Sequence, residues 1–236
     1  MSNNPLGMKT GWWSFELPRY RPHPRRSTYS LFSYEDLPPI SEKLDDNFEW
    51  LWSQPIKKRS LLEGCASDGS TPDLSKLAEI AAEIPVRLPS PFTVFMDSTK
   101  LHHRIRSCTD CYLELPEYVV ETKGRIEGYL IHFLSDSQWV GHWYIHVDHD
   151  GHHFVVTSRN AYGFLCGDEY GSMGAKKIDL EVEDIWLCAP SFTEFIYRFW
   201  LENEIWYSLT LDKRPLTQIE QVYVDGYSAE ANSHPA

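Results

Sequence analysis

The sequence has no long apolar run. Its longest uninterrupted stretch is Ile185-Trp186-Leu187-Cys188-Ala189, whereas a bilayer-spanning helix needs roughly 20 such residues, so no membrane helix is expected. No secretory h-region follows Met1. Basic residues are scarce: 22 Lys and Arg stand against 34 Asp and Glu, a net charge of −12 with histidines neutral. Such a surface repels phosphate backbones, which excludes a general nucleic-acid binder. Cysteines number five, an odd count that, without an export signal, fits thiols in a reducing cytoplasm better than a disulfide framework. There is no GxSxG, HExxH, phosphate loop or dinucleotide fingerprint, so no cofactor is expected and no catalytic set is assembled by motif.

What is present is a globular composition. Of 236 residues, 42% are hydrophobic and 14% aromatic, which excludes disorder. Charge is uneven. Residues 1 to 30 hold Lys9, Arg19, Arg21, Arg25 and Arg26 against Glu16 alone, leaving −16 on the remainder, so a partner selected by charge is basic.

Residues 1 to 40 mix Trp12, Trp13, Phe15 and Tyr20 with Pro18, Pro22, Pro24, Pro38 and Pro39, which deny helix propagation and a central ladder. An extended arm is expected there, then a helix capped by Ser41 with Leu44, Phe48, Leu51 and Trp52 on one face. Thr71-Pro72 and Ser90-Pro91 each read as an N-cap followed by proline at the first helical position. From about residue 111 the pattern becomes an antiparallel meander: 129–134, 139–147 and 153–157, with Asp150-Gly151 as a hairpin turn. Period-two alternation predicts that Trp143, Ile145 and Val147 share a core face with Phe154 and Val156. Ser191 caps a long helix to about Tyr207, and Thr217 with Glu220 makes a capping box for a last short helix closed at Gly226. The expected division is an N-terminal extension at 1–70, a main domain at 71–210 and a C-terminal helix with a tail at 211–236.

Histidines crowd the meander: His142, His146, His149, His152 and His153, with His132 on the preceding strand. A metal reading is tempered by geometry, since His142 and His146 lie roughly 13 Å apart along a strand. His146 and His153 are the pair expected to face one another, but further ligands of defined spacing are missing. The same residues read alternatively as a polar-aromatic contact strip of His142, Tyr144, His146 and His153 away from the core. Cys108-Thr109-Asp110-Cys111 is a lone CxxC leading into a strand, whereas a redox pair needs a thiol at a helix N-terminus. Residues 178 to 236 carry eleven acids against Arg198, Lys213 and Arg214. Glu181, Glu183 and Asp184 are therefore candidates for an acidic binding face.

Three blocks together resemble the SUKH superfamily, which includes bacterial immunity proteins and a yeast cell-wall assembly regulator. They are Ile84-Pro85-Val86-Arg87-Leu88-Pro89-Ser90-Pro91-Phe92 with Phe95-Met96; Gly128-Tyr129-Leu130-Ile131-His132-Phe133 through Trp143-Tyr144-Ile145-His146 and Phe154-Val155-Val156; and Ala189-Pro190-Ser191-Phe192-Thr193-Glu194-Phe195. The similarity spans about residues 80 to 210. It implies an α+β fold with a bent antiparallel sheet of about five or six strands and helices packed on it at both ends of the domain. It also implies a non-catalytic protein-binding role, as an immunity-type protein occluding a basic toxin such as a nuclease. Two alternatives stay open: a regulatory scaffold of the same family without a toxin partner, and a metal- or thiol-dependent enzyme built on His146, His153, Cys108 and Cys111.

Overall fold

The computed structural model describes residues 7–21, 28–40, 42–61, 73–115, 118–123, 126–162, 174–178 and 185–231. Their order is β1 (Trp12–Ser14), β2 (Ser30–Phe32), α1 (Glu49–Trp52), α2 (Leu74–Glu83), α3 (Ser90–Met96), α4 (Thr99–His102), β3 (Tyr112–Leu113), β4 (Tyr118–Thr122), β5 (Gly128–Ser135), β6 (His142–Val147), β7 (His153–Ser158), β8 (Gly174–Ile178), β9 (Trp186–Ala189), α5 (Phe192–Thr210) and α6 (Gln218–Ala231). The main sheet runs β8-β4-β5-β6-β7-β9, with β3 also paired to β5. The class is α+β, with helices packed on a mostly antiparallel sheet. One pair departs from the expected meander, because β4 and β8 are parallel.

Helix α5 is the spine. Ser191 Oγ accepts the Glu194 N–H as its N-cap, and nearly every side chain up to Ser208 is buried, as expected of a helix enclosed on all sides. Phe192 meets Phe92 and Phe95 of α3 edge-on, and Phe192 and Phe195 both meet Phe133 of β5 edge-on. The capping box at Thr217 and Glu220 also forms, with the Thr217 N–H donating to Glu220 Oε2 at 2.8 Å.

Other expected elements move. The helix expected from Ser41 shrinks to α1, because the Asp45 carboxylate takes the N–H groups of Asn47 and Glu49 into an Asx turn and Phe48 adopts φ 58°. Ser41 itself lies outside the described residues, as do Thr71 and Pro72; Asp73 caps α2 by accepting from the Ser75 N–H. Pro89, not Ser90, is the N-cap of α3. Helix α6 does not close at Gly226 but continues to Ala231; Gly226 faces Pro38, which a Cβ there would meet at 2.7 Å.

The facing of the β6–β7 hairpin is shifted by one residue from expectation. Val147 pairs with His153, Ile145 with Val155 and Trp143 with Thr157, so Phe154 and Val156 lie on the opposite face. The cause is the five-residue turn at 148–152, fixed by Asp148 Oδ1, which accepts the N–H groups of Asp150 and His152. A one-residue change of register exchanges the two faces of a strand. Both faces are buried here. Trp143, Ile145, Val147 and Val155 join the large core under α5, and Leu130, Tyr144, Val156 and Leu187 form a second cluster behind the sheet.

A bulge between His132 and Leu134 in β5 lets Phe133 and Leu134 both enter the α5 core. Strand β5 begins at Gly128, whose φ of 144° and crowding are incompatible with a side chain: a Cβ would lie 2.4 Å from the Val147 carbonyl oxygen. Gly128→Ala is expected to lose about 3 kcal/mol of stability from strain and overpacking, read as a lower urea midpoint with unchanged slope. A midpoint equal to that of the native chain contradicts this account.

The arm at the start of the chain is structural. Trp12, Phe15 and Leu17 belong to the same core as α5, and residues 9–11 extend the sheet beyond β9 through Gly11 N–H to Leu187 O and Leu187 N–H to Lys9 O, both 2.9 Å. The described parts of the three expected segments thus share one interior.

Candidate functional site

The bulge in β5 places His132 and Ser135 on the back of the sheet, opposite Tyr144 and His142 of β6. Ser135 Oγ sits 2.9 Å from both His132 Nε2 and His142 Nδ1. A hydroxyl has one proton to give and two lone pairs, so at least one of the two imidazoles donates to it. Burial pushes His132 down to about 3, with His142 nearby adding to the effect, and it lowers His142 as well. Asp136 adjoins them, yet its carboxylate accepts the N–H groups of Gln138, Val140 and Gly141. All four side chains are at most 1% exposed. This Ser-His-Asp composition is an interior hydrogen-bond cluster that clamps a turn.

The expected contact strip is therefore corrected. His142, Tyr144 and His146 do share a face, but each is at most 2% exposed, beneath the second apolar cluster. His146 stacks on Phe154 at 4.6 Å, and burial pushes it down to about 4. His153 points to the other face, opposite Val147. His146 and His153 thus cannot share a metal ion, because the sheet lies between them. Sequence spacing did not show this, since it depended on the length of the turn.

The CxxC is also accounted for by packing. The Cys108 N–H donates to Asn203 Oδ1 of α5, and Cys111 Sγ lies 3.3 Å from Tyr29 Oη. Both cysteines are free, and burial raises both thiols, with Cys111 adding to the effect on Cys108. A reactive cysteine needs the opposite shift.

Glu181, Glu183 and Asp184 lie outside the described residues. A different acidic corner is visible. Residues 42–49 run beside the first turns of α5, where the Thr193 hydroxyl donates to Asp46 Oδ1 at 2.7 Å, and Glu42, Asp46 and Glu49 are exposed. The β6–β7 turn brings Asp148 and Asp150 to the same edge, and Asp46 acts electrostatically on His153 of β7. Between the turn and the entry to α3 lies an open hollow of about 220 Å³ lined by Arg87, Leu88, Pro89, Ser90, Asp150, Gly151 and His153. Asp148, Asp150 and His152 bring their ligand atoms within 4.8 Å of one another, but Asp148 is already engaged by His152 Nδ1 at 3.0 Å. The corner presents carboxylates to solvent and holds none of the buried imidazoles. The approach of loop 42–49 to the hairpin was not visible in the sequence.

Comparison of the chain with protein-family models, with curated proteins and with solved structures finds no match.

Proposed function

We propose that the chain is a non-catalytic protein-binding module of the immunity type, which recognises a basic protein, such as a nuclease toxin, in the cytoplasm. The observation that carries this reading is the acidic corner where Asp46 approaches the β6–β7 turn carrying Asp148 and Asp150, with Glu42 and Glu49 exposed on the same loop as Asp46, on a chain of net charge −12. Like-signed carboxylates held at one edge raise the encounter rate with a cationic surface and imitate the charge of a phosphate chain. The α+β class agrees with what the SUKH resemblance implies. No helix among the described residues is long and apolar enough to cross a membrane, which is compatible with a cytoplasmic site of action.

The test is capture of the tagged chain from its native cells, identification of the bound protein, and rate measurements with charge-reversed variants. Glu42→Lys, Glu49→Lys and Asp150→Lys combined should slow association at least tenfold at low salt, with a smaller effect on dissociation. A parallel swap of Glu181, Glu183 and Asp184 to lysine tests the segment first marked by sequence. Unchanged association in both variants, or a captured partner that is itself acidic, overturns the reading.

A further inference from the structure

The turn between β5 and β6 presents a second surface, at the opposite end of β6 from the acidic corner. Trp139 is 45% exposed and Val140 42%, in a turn whose backbone is held by three N–H bonds to Asp136. Trp139 has φ 58°, a left-handed conformation that a bulky residue rarely adopts. Asparagine or glycine would occupy such a position without strain. The fold instead fixes an indole there and keeps it in place: Trp139 Nε1 donates to Tyr112 Oη at 2.7 Å, and the ring stands edge-on to His142 at 5.4 Å.

The surroundings select a ligand chemistry. Tyr112 accepts from the indole and, burial first and the Glu114 carboxylate second, its phenol is pushed up. A hydrogen-bond chain of this kind, ending in a carboxylate, draws electron density onto the indole ring and strengthens its attraction for a cation. The neighbouring turn, joined through the Ser137 hydroxyl donating to the Thr109 carbonyl at 3.3 Å, adds the exposed carboxylate of Asp110. A fixed, exposed indole with the half-buried Glu114 behind Tyr112 and the exposed Asp110 on the adjoining turn matches the planar cation of arginine, which stacks on rings and pairs with carboxylates at once.

We infer that Trp139, with Asp110 and Glu114, is the anchor for an arginine side chain of the protein partner. This rests on the reading of a basic protein partner and adds a specific contact to it. Tryptophan in a rigid, partly desolvated setting is the residue type that dominates binding energy in protein interfaces.

The probe is a capped hexa-arginine peptide titrated into the full chain at 0.15 M salt, with hexa-lysine alongside, followed by the indole N–H resonances. The Trp139 resonance is assigned by its loss in Trp139→Leu, a variant that remains apolar. The inference expects hexa-arginine to shift this resonance and to bind at least fivefold more tightly than hexa-lysine. It also expects at least tenfold weaker binding in Trp139→Leu and a several-fold loss in Asp110→Asn with Glu114→Gln. An unmoved Trp139 resonance while the peptide binds, or equal affinity in Trp139→Leu with its thermal midpoint retained, overturns it. Trp139→Gly guards against a folding artefact, because it relieves the backbone strain and should still lose the arginine preference. Failure here leaves the acidic-corner reading standing if the charge-reversed variants still slow the captured partner; failure of those variants with a responsive Trp139 does the reverse.

Discussion

Replacing Glu202 with glutamine is expected to remove about 3–5 kcal/mol of folding stability, the loss associated with leaving one buried charge without its partner. Glu202 is fully buried in the middle of α5. Its carboxylate accepts from Trp12 Nε1 at 2.7 Å, Ser14 Oγ at 2.8 Å, Arg21 Nη2 at 2.8 Å and Tyr223 Oη at 2.8 Å. Burial by itself raises this carboxyl; the Arg21 guanidinium and the surrounding donors together outweigh it and hold the group below its ordinary value. Glutamine keeps the shape and loses the charge, so Arg21, itself 5% exposed, is left with neutral partners. The thermal midpoint should fall by about 10 °C. Limited proteolysis should release residues near both chain ends together, because the arm and α6 hang on the same carboxylate. Arg21→Met combined with Glu202→Leu should not restore the native midpoint, because Trp12 Nε1, Ser14 Oγ and Tyr223 Oη would still lose their buried acceptor. A midpoint within 2 °C of the native chain for Glu202→Gln contradicts the anchoring role.

The second large effect is acid lability. Burial pushes His102 down to about 4, His132 to about 3 and His146 to about 4, whereas an unfolded chain titrates its histidines near 6.5. Above about pH 6.5 both states carry these rings neutral and nothing is lost. As pH falls below that value the unfolded chain takes up three protons that the folded chain refuses. Stability then drops with a limiting slope of about 4 kcal/mol per pH unit until the folded-state values near 4 and 3 are reached. By pH 5 the loss amounts to about 6 kcal/mol, comparable with the whole stability of many domains. The lowered carboxyls of Glu202 and Glu220 act in a separate, more acidic window, since their contribution is present above the ordinary carboxyl range and lost below it. Urea unfolding at half-unit steps from pH 7.5 to 4.5 reads this directly. His146→Phe, placed against Phe154, should reduce the slope by one proton. A flat profile from pH 7 to 5 is incompatible with three neutral buried rings.

How far the sequence carried the structure follows from the kind of signal each element had. Helix α5 was legible because its start, Ser191 with Glu194, is a local capping pattern and its apolar positions repeat over five turns. The strands β5, β6 and β7 were legible as runs of branched and aromatic residues. Their facing was not, because it depended on a five-residue turn whose register is set by the Asp148 carboxylate. Both sheet faces are buried, so alternation had no polar side to mark the error. The histidines of β6 looked like surface chemistry for the same reason: imidazoles are polar in sequence, and only the second apolar cluster shows them enclosed. The acidic corner depends on loop 42–49 meeting a hairpin a hundred residues away, and no periodicity encodes that approach. The sequence placed Trp139 at the start of the strand 139–147; the strand begins instead at His142 and Trp139 lies in the preceding turn, a left-handed position that its residue type did not suggest.

The clamp on Glu202 also sets an order of events during synthesis. Arg21 must wait for a partner 181 residues later, and Tyr223 and Tyr227 close the same cluster from α6. Trp12, Trp13 and Phe15 therefore leave the ribosome long before α5 supplies their burial site. At elongation rates of about 5–20 residues per second that interval is on the order of ten seconds or more. Throughout it the nascent arm exposes a cluster of aromatic side chains of the kind that holding chaperones bind, and a chain whose translation stalls before α5 has emerged keeps that cluster uncovered.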